Sequence, residues 1–158
     1  MKKPWNLANI PVYSLATYDQ QHKVNMNLCT YVSAVSMHPK LFAIGVYQNT
    51  RTLMNLRTSE TAILQWLNPS HLSVAKHLGF ESGKDFDKEI YLSKKNFLVE
   101  WEGNSILKNL SAIAHLKRIS SMVTGDHELF IFEVLKAKTF QNDLLYLNHL
   151  REKKWIRI

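Results

Sequence analysis

Residues 25–52 constrain this chain more than any other stretch, because they set out two strands, a turn and a helix start in immediate succession. Residues 24–37 are rich in Thr, Val, Tyr and Ser and read as one long extended segment, ended by Pro39. Residues 41–47 form a near-continuous apolar run, which predicts a strand buried on both faces. A helix then opens on Thr50-Arg51-Thr52, with Leu53 and Leu56 on one face. The first N–H groups of a helix have no intrahelical partner and the macrodipole is positive there, so a helix start attracts anions. Two hydroxyls and a guanidinium stand at this one, a set that suits a phosphate-bearing cofactor. Read locally, the same residues make an ordinary N-cap by Asn49 or Thr50 beside an exposed arginine.

The remaining segments extend the pattern. Residues 12–18 and 61–67 read as strands, with a polar turn over 19–23. Asn68-Pro69-Ser70 starts a helix that buries Leu72, Ala75 and Leu78 and stops at Gly79. Residues 81–106 mix charges, two glycines and four aromatics, and read as a long connection holding a short helix or strand. Residues 111–123 and 127–138 read as two strands around Thr124-Gly125-Asp126. A final amphipathic helix is expected over 143–153 with Asn142 or Asp143 as its cap, followed by Trp155-Ile156-Arg157-Ile158. About seven strands with a few short helices predict a β-barrel or sandwich, and composition does not choose between them. A length of 158 residues suits one domain over 1–158.

Several function classes lose support at this level. No His-Glu-x-x-His motif and no cysteine pair occur, so no metal is expected. Gly-x-Ser-x-Gly, P-loop and Rossmann glycine patterns are absent. No apolar run is long enough to span a membrane, and no leader is expected. The single cysteine, Cys29, sits in an apolar strand, where it reads as a small buried hydrophobe in a protein of the reducing cytoplasm. The formal charge of +7 favours anionic partners, but the positive residues are scattered. Their densest cluster, residues 151–157, reads as a solvated helix face and tail, and no nucleic-acid partner is expected.

Two constellations remain. Asn27, Leu28, Cys29, Thr30 and Tyr31 bring amides and hydroxyls to a place where a buried strand should be apolar. That composition suits the wall of a flat heterocycle, or a half-exposed strand with alternating faces. Gly125-Asp126-His127 places a histidine beside an aspartate after a turn. Such a histidine can hold a proton or clamp a substrate, or simply decorate a turn.

Taken in order, these stretches resemble the flavin reductase-like, FMN-binding split-barrel family. Asn27-Leu28-Cys29-Thr30-Tyr31-Val32-Ser33-Ala34-Val35-Ser36-Met37-His38-Pro39 is similar to the family's Thr/Ser-rich strand ending in Ser-Val-Ser and a proline. Residues 41–56 resemble its strand followed by an Arg-Ser/Thr helix start, and residues 125–134 its Gly-Asp-His strand. Gly83-Lys84-Asp85-Phe86-Asp87-Lys88 is a weaker match to the loop between. The resemblance implies a six-stranded Greek-key split β-barrel with a few short helices, homodimeric, with FMN near the subunit interface. It implies a ring wall at Asn27, Leu28, Cys29, Thr30 and Tyr31, and a phosphate grip at Asn49, Thr50, Arg51 and Thr52. His127 would sit near the nicotinamide or flavin edge as the catalytic residue. Tyr31 stands where the family more often has Ser. The implied activity is NAD(P)H-dependent flavin reduction, with NADH or NADPH as donor and a downstream flavin-using partner. An FMN-binding electron carrier, a flavoenzyme of the pyridoxamine-phosphate-oxidase type and a cofactor-free barrel are the alternatives.

Overall fold

The computed structural model describes residues 1–156. Its chain is mainly β. Strands β1 (Tyr13–Tyr18), β2 (Val24–Met26), β3 (Val32–Ser36) and β4 (Leu41–Tyr47) precede helix α1 (Arg51–Thr58). Strand β5 (Thr61–Trp66) leads through a 3-10 turn (Pro69–His71) into α2 (Leu72–Phe80) and then α3 (Lys88–Lys94). The hairpin β6 (Leu98–Trp101) and β7 (Asn104–Leu107), the long strands β8 (Ala112–Thr124) and β9 (His127–Thr139), and α4 (Leu147–Glu152) complete it.

The large sheet runs β2-β1-β5-β8-β9-β4-β3, every pairing antiparallel. Three bonds turn it into a barrel. Tyr13 and Cys29 exchange both backbone hydrogen bonds at 2.9 Å, and Gly45 N–H donates to the Tyr31 carbonyl at 2.9 Å. The segment that leaves β2 therefore pairs first with β1 and then with β4. The closed ring is β1-β5-β8-β9-β4-β3, six strands in Greek-key order, with β2 prolonging the ladder on β1. The expected six-stranded split barrel is the fold observed.

Side-chain alternation sorts the core into two parts. Leu15, Ala62, Leu64, Ala114, Leu116, Ile44, Val46, Phe130 and Phe132 point into the barrel, where Leu53 and Leu56 of α1 join them. Their strand neighbours Ala16, Ile63 and Ile113 face outward against Val74 and Leu78 of α2, Leu92 of α3 and Leu150 of α4. Strands β1 and β5 are thus covered on both faces.

Six sequence expectations change. Residues 24–37 are not one strand: the ladder lapses where the Asn27 side chain accepts the Leu15 N–H at 2.9 Å in place of backbone. Strand β4 buries only Ile44 and Val46, and its other face is half-exposed, with Tyr47 exposed. Residues 81–106 hold a helix, α3, and a hairpin, which Glu102 and Gly103 close by both taking positive φ (52° and 76°). Helix α4 starts at Leu147 with Tyr146 before it, since Leu145 N–H donates to Leu67 and Tyr146 bridges Pro11, which holds this stretch extended. Helix α2 also runs one residue past Gly79. The C-terminal basic cluster is not a solvated face throughout. Arg151 is buried and its guanidinium donates to the carbonyls of Asn6 (2.7 Å) and Ala8 (3.4 Å), while Arg157 lies outside the described residues.

Phe130 and Phe132 stack at 5.8 Å at the centre of the barrel and are fully buried. Phe132→Ala is expected to lower stability by about 3–5 kcal/mol in urea denaturation.

Candidate functional site

All ten residues singled out from the sequence line one cavity of about 560 Å³. Three separate parts of the chain meet there. The stretch 27–31 forms one wall, the loop into α1 forms another, and His127 arrives from the start of β9. Residues 78–83, at the end of α2 and beyond, close the remaining side.

The wall at 27–31 is held in place by its neighbours. Asn27 spends its side-chain oxygen on Leu15, and Cys29 spends its backbone on Tyr13. Leu28 packs against Gly79, where an added Cβ would come within 2.9 Å of the Leu28 side chain. Gly45 plays the same part behind Tyr31: a Cβ there would meet the Tyr31 Cβ at 3.1 Å. Tyr31 is 63% exposed and lies at 4.9 Å, tilted, from the His127 ring, which Tyr47 meets edge-on at 5.2 Å. Burial pushes the Cys29 thiol up to about 12, so it stays protonated near neutrality and is no nucleophile.

At the other end the helix start is built as expected, with one change. Thr50 is the N-cap: its Oγ1 accepts from Leu53 N–H at 3.2 Å and donates to the Tyr47 carbonyl at 2.9 Å. Its single proton is committed, so Thr50 shapes the anion site without donating into it. Thr52 is buried and accepts from Asn25 Nδ2 at 3.1 Å, a role that keeps its own proton for another acceptor. Asn49 takes a positive φ of 61° and its side chain accepts from Lys84. Among the described residues, the unbonded donors of the first turn are the N–H groups of Arg51 and Thr52, the Thr52 hydroxyl and the Arg51 guanidinium. Gly83 lies against this end: a Cβ there would sit 2.2 Å from Asn25 Oδ1 and 3.0 Å from Arg51 Cβ.

Lys88, Asn25, Gly83 and Tyr47 also line the cavity and were not singled out as site residues from the sequence. Lys88 is only 6% exposed, and its Nζ donates to the Leu78 carbonyl at 2.7 Å. Desolvation lowers its ammonium to about 8, with Glu81 pulling the other way. The sequence signal was the weak match at 83–88, which says nothing of burial. At His127, Nδ1 lies 2.6 Å from Asp126 Oδ1. When Nδ1 carries the proton of that bond, Nε2 is left as the basic nitrogen. Among the described residues, no group of three or more His, Cys, Asp or Glu could hold a metal ion. No helix among them is long and apolar enough to cross a membrane.

The flavin reductase like domain model matches residues 8–155, which include every residue lining the cavity. The chain belongs to that family. Solved structures agree on the fold. The FMN-binding protein of Thermus thermophilus with bound 1-cyclohex-2-enone superposes with a TM-score of 0.75 at 17% identity, covering 88% of this chain and 75% of that one. Flavoredoxin of Methanosarcina acetivorans gives 0.75 at 17% identity over 92% and 77%. The NADH:FAD oxidoreductase of Streptomyces globisporus, in complex with NAD and FAD fragments, gives 0.70 at 19% identity over 84% and 76%. No curated protein matches the sequence. In this member of the family the cavity carries two cations, Arg51 and Lys88, against one carboxylate, Glu81.

A buried ammonium balanced only by an exposed carboxylate, here Glu81, is costly, and an apolar side chain of similar length removes that cost. Lys88→Met is expected to leave the ligand-free protein at least as stable at neutral pH. A lower thermal midpoint in the variant would show that the bond to Leu78 outweighs the desolvation.

Proposed function

We propose that this protein binds FMN in the cavity and reduces it with NADH or NADPH. One observation carries the reading: residues 27–31, residues 49–52 and His127 meet in one cavity, which Arg51 and Lys88 also line. The donor set fits the group. The Arg51 guanidinium and the first N–H groups of α1 would hold the phosphate, with the Thr52 hydroxyl beside them and Thr50 and Asn49 fixing the turn. Asn27, Leu28, Cys29 and Thr30 would carry the ring along their backbone, with Tyr31 at its edge. Lys88 would add positive charge to the cavity, which favours an electron-rich ligand. When bound, FMN supplies a two-electron acceptor for hydride.

The chain's own residues then bind, orient and protect. His127, steadied by Asp126 and flanked by Tyr31 and Tyr47, is the group placed to clamp a nicotinamide or hold a proton at Nε2. Most of the rate enhancement is orientation, so His127 matters for geometry as much as for proton transfer. Chain 1–158 is read as one domain that pairs with a second copy. The exposed apolar residues Val35 on β3, Tyr31 and Met37 flanking it, and Ile119, Met122 and Val123 on β8 offer a surface for that pairing. The single buried thiol suits the cytoplasm. A downstream partner that uses reduced flavin completes the reading.

One observation favours a second reading, an FMN-binding electron carrier. Tyr31 is bulky and leans on His127, which narrows the approach a nicotinamide would take. The two readings separate in a visible spectrum of the purified protein followed by anaerobic NADH and NADPH titration. Flavin-dependent oxidation of either nucleotide is expected. Tight flavin retention with no oxidation of either would favour the carrier. Arg51→Ala is expected to weaken FMN binding by about 1.5–3 kcal/mol, read by quenching of flavin fluorescence. Unchanged affinity would remove Arg51 from the phosphate site.

A further inference from the structure

Residues 4–10 are fixed in place by helix α4. Residues 4–6 form a 3-10 turn, in which Asn6 N–H donates to the Lys3 carbonyl at 2.8 Å and Leu7 N–H to the Pro4 carbonyl at 3.2 Å. The stretch after the turn runs antiparallel to α4. Leu147 N–H donates to the Ile10 carbonyl and Asn148 N–H to Asn9 Oδ1, both at 2.9 Å. Arg151, near the end of α4, spends its buried guanidinium on the carbonyls of Asn6 and Ala8. The end of α4 and the turn are thereby held together.

Four lysines gather at this junction. Lys2 and Lys3 precede the turn, Lys153 and Lys154 follow α4, and all four are exposed. Glu152 is the one carboxylate in residues 1–10 and 147–156. Two large apolar side chains stand among the lysines. Trp5 is 76% exposed and Leu7 66%, although Arg151 ties their backbone to the body of the protein. Lys3 Nζ lies 5.7 Å from the centroid of the Trp5 ring, so charge and indole are presented together. None of these six residues lines the flavin cavity or belongs to the apolar surface offered for pairing.

Charge and apolarity together select the partner. Lysines are drawn to an anionic bilayer, while indole and leucine side chains settle at the boundary between headgroups and acyl chains. Duplex nucleic acid would use the lysines and leave Trp5 and Leu7 in water. A second copy of the chain, meeting this patch with its own, would set like charges against each other. We propose that the patch docks on the surface of an anionic lipid bilayer, with Lys2, Lys3, Lys153 and Lys154 over the headgroups and Trp5 and Leu7 at the headgroup–acyl boundary. The contact needs no membrane-spanning segment and does not rest on the flavin reading.

Sedimentation of the whole chain with phosphatidylcholine vesicles, with and without phosphatidylserine, tests the proposal. Wild type is expected to bind the anionic vesicles at least about tenfold more tightly than the neutral ones, less so as salt is raised. Tryptophan emission should shift to the blue on binding. Trp5→Phe should abolish that shift, because Trp66, Trp101 and Trp155 are all less exposed. Lys2→Glu with Lys3→Glu should weaken vesicle binding by about tenfold or more and leave FMN affinity unchanged. Lys153→Glu with Lys154→Glu should weaken it from the other side of the junction.

Three results would overturn the proposal. The first is no binding to anionic vesicles, or equal binding to both kinds. The second is binding without an emission shift, or binding that both pairs of substitutions leave intact, which would put the lipid on another face. The third is tighter binding to duplex DNA than to anionic vesicles at the same salt, unaltered by Trp5→Ser, which would make the patch a polyanion site.

Discussion

The structure depends on what happens at Asn27. A strand that continued straight from β2 would add to one sheet edge and leave the barrel open. Instead the Asn27 side chain takes the Leu15 N–H, Cys29 closes on Tyr13, and the chain passes across to β4 at Tyr31. Each of these bonds satisfies a backbone group that burial would otherwise leave unpaired, at a penalty of about 1–3 kcal/mol each. The crossing that closes the barrel also lays the backbone of 27–31 along the cavity. The fold and the site are products of one local departure from strand geometry.

Charge is distributed to match. The barrel interior is apolar, and the few buried polar groups near the cavity are paired with one another. Asn25 donates to Thr52, and Asn55 donates to Thr17 at 3.1 Å. This network anchors α1 on β1 and β2, and so fixes where Arg51 stands. Lys88 is the exception, a buried ammonium with one neutral acceptor. A buried charge kept at a cavity wall makes sense when something anionic or electron-rich sits opposite, because the ligand then supplies the missing half of the interaction.

The helix start at Thr50 was legible because capping is a local rule, and the residue types alone announce it. The turn at Gly125 was legible for the same reason. That the two belong to one site was not readable from either, and came from their order along the chain in a family resemblance. The apolar run of β4 was misread as doubly buried because a cavity wall and a core strand have the same composition. Residues 81–106 hid a hairpin behind a Glu-Gly turn, a pair with weak turn preference. Asn25, Gly83 and Lys88 could not be found locally: a lysine's burial and a glycine's crowding are set by partners distant in sequence. Thr50 corrects the expectation in the other direction, since the sequence offered its hydroxyl to a phosphate and the fold gives that proton to Tyr47.

The central claim is that one cavity holds a flavin ring against 27–31 and its phosphate at the start of α1. A crystal structure grown with FMN tests it most directly. The phosphate is expected within hydrogen-bond distance of the Arg51 guanidinium and the α1 N–H groups, with the ring along Asn27 to Tyr31. Flavin bound elsewhere, or a reversed flavin with its phosphate at Tyr31, would contradict it.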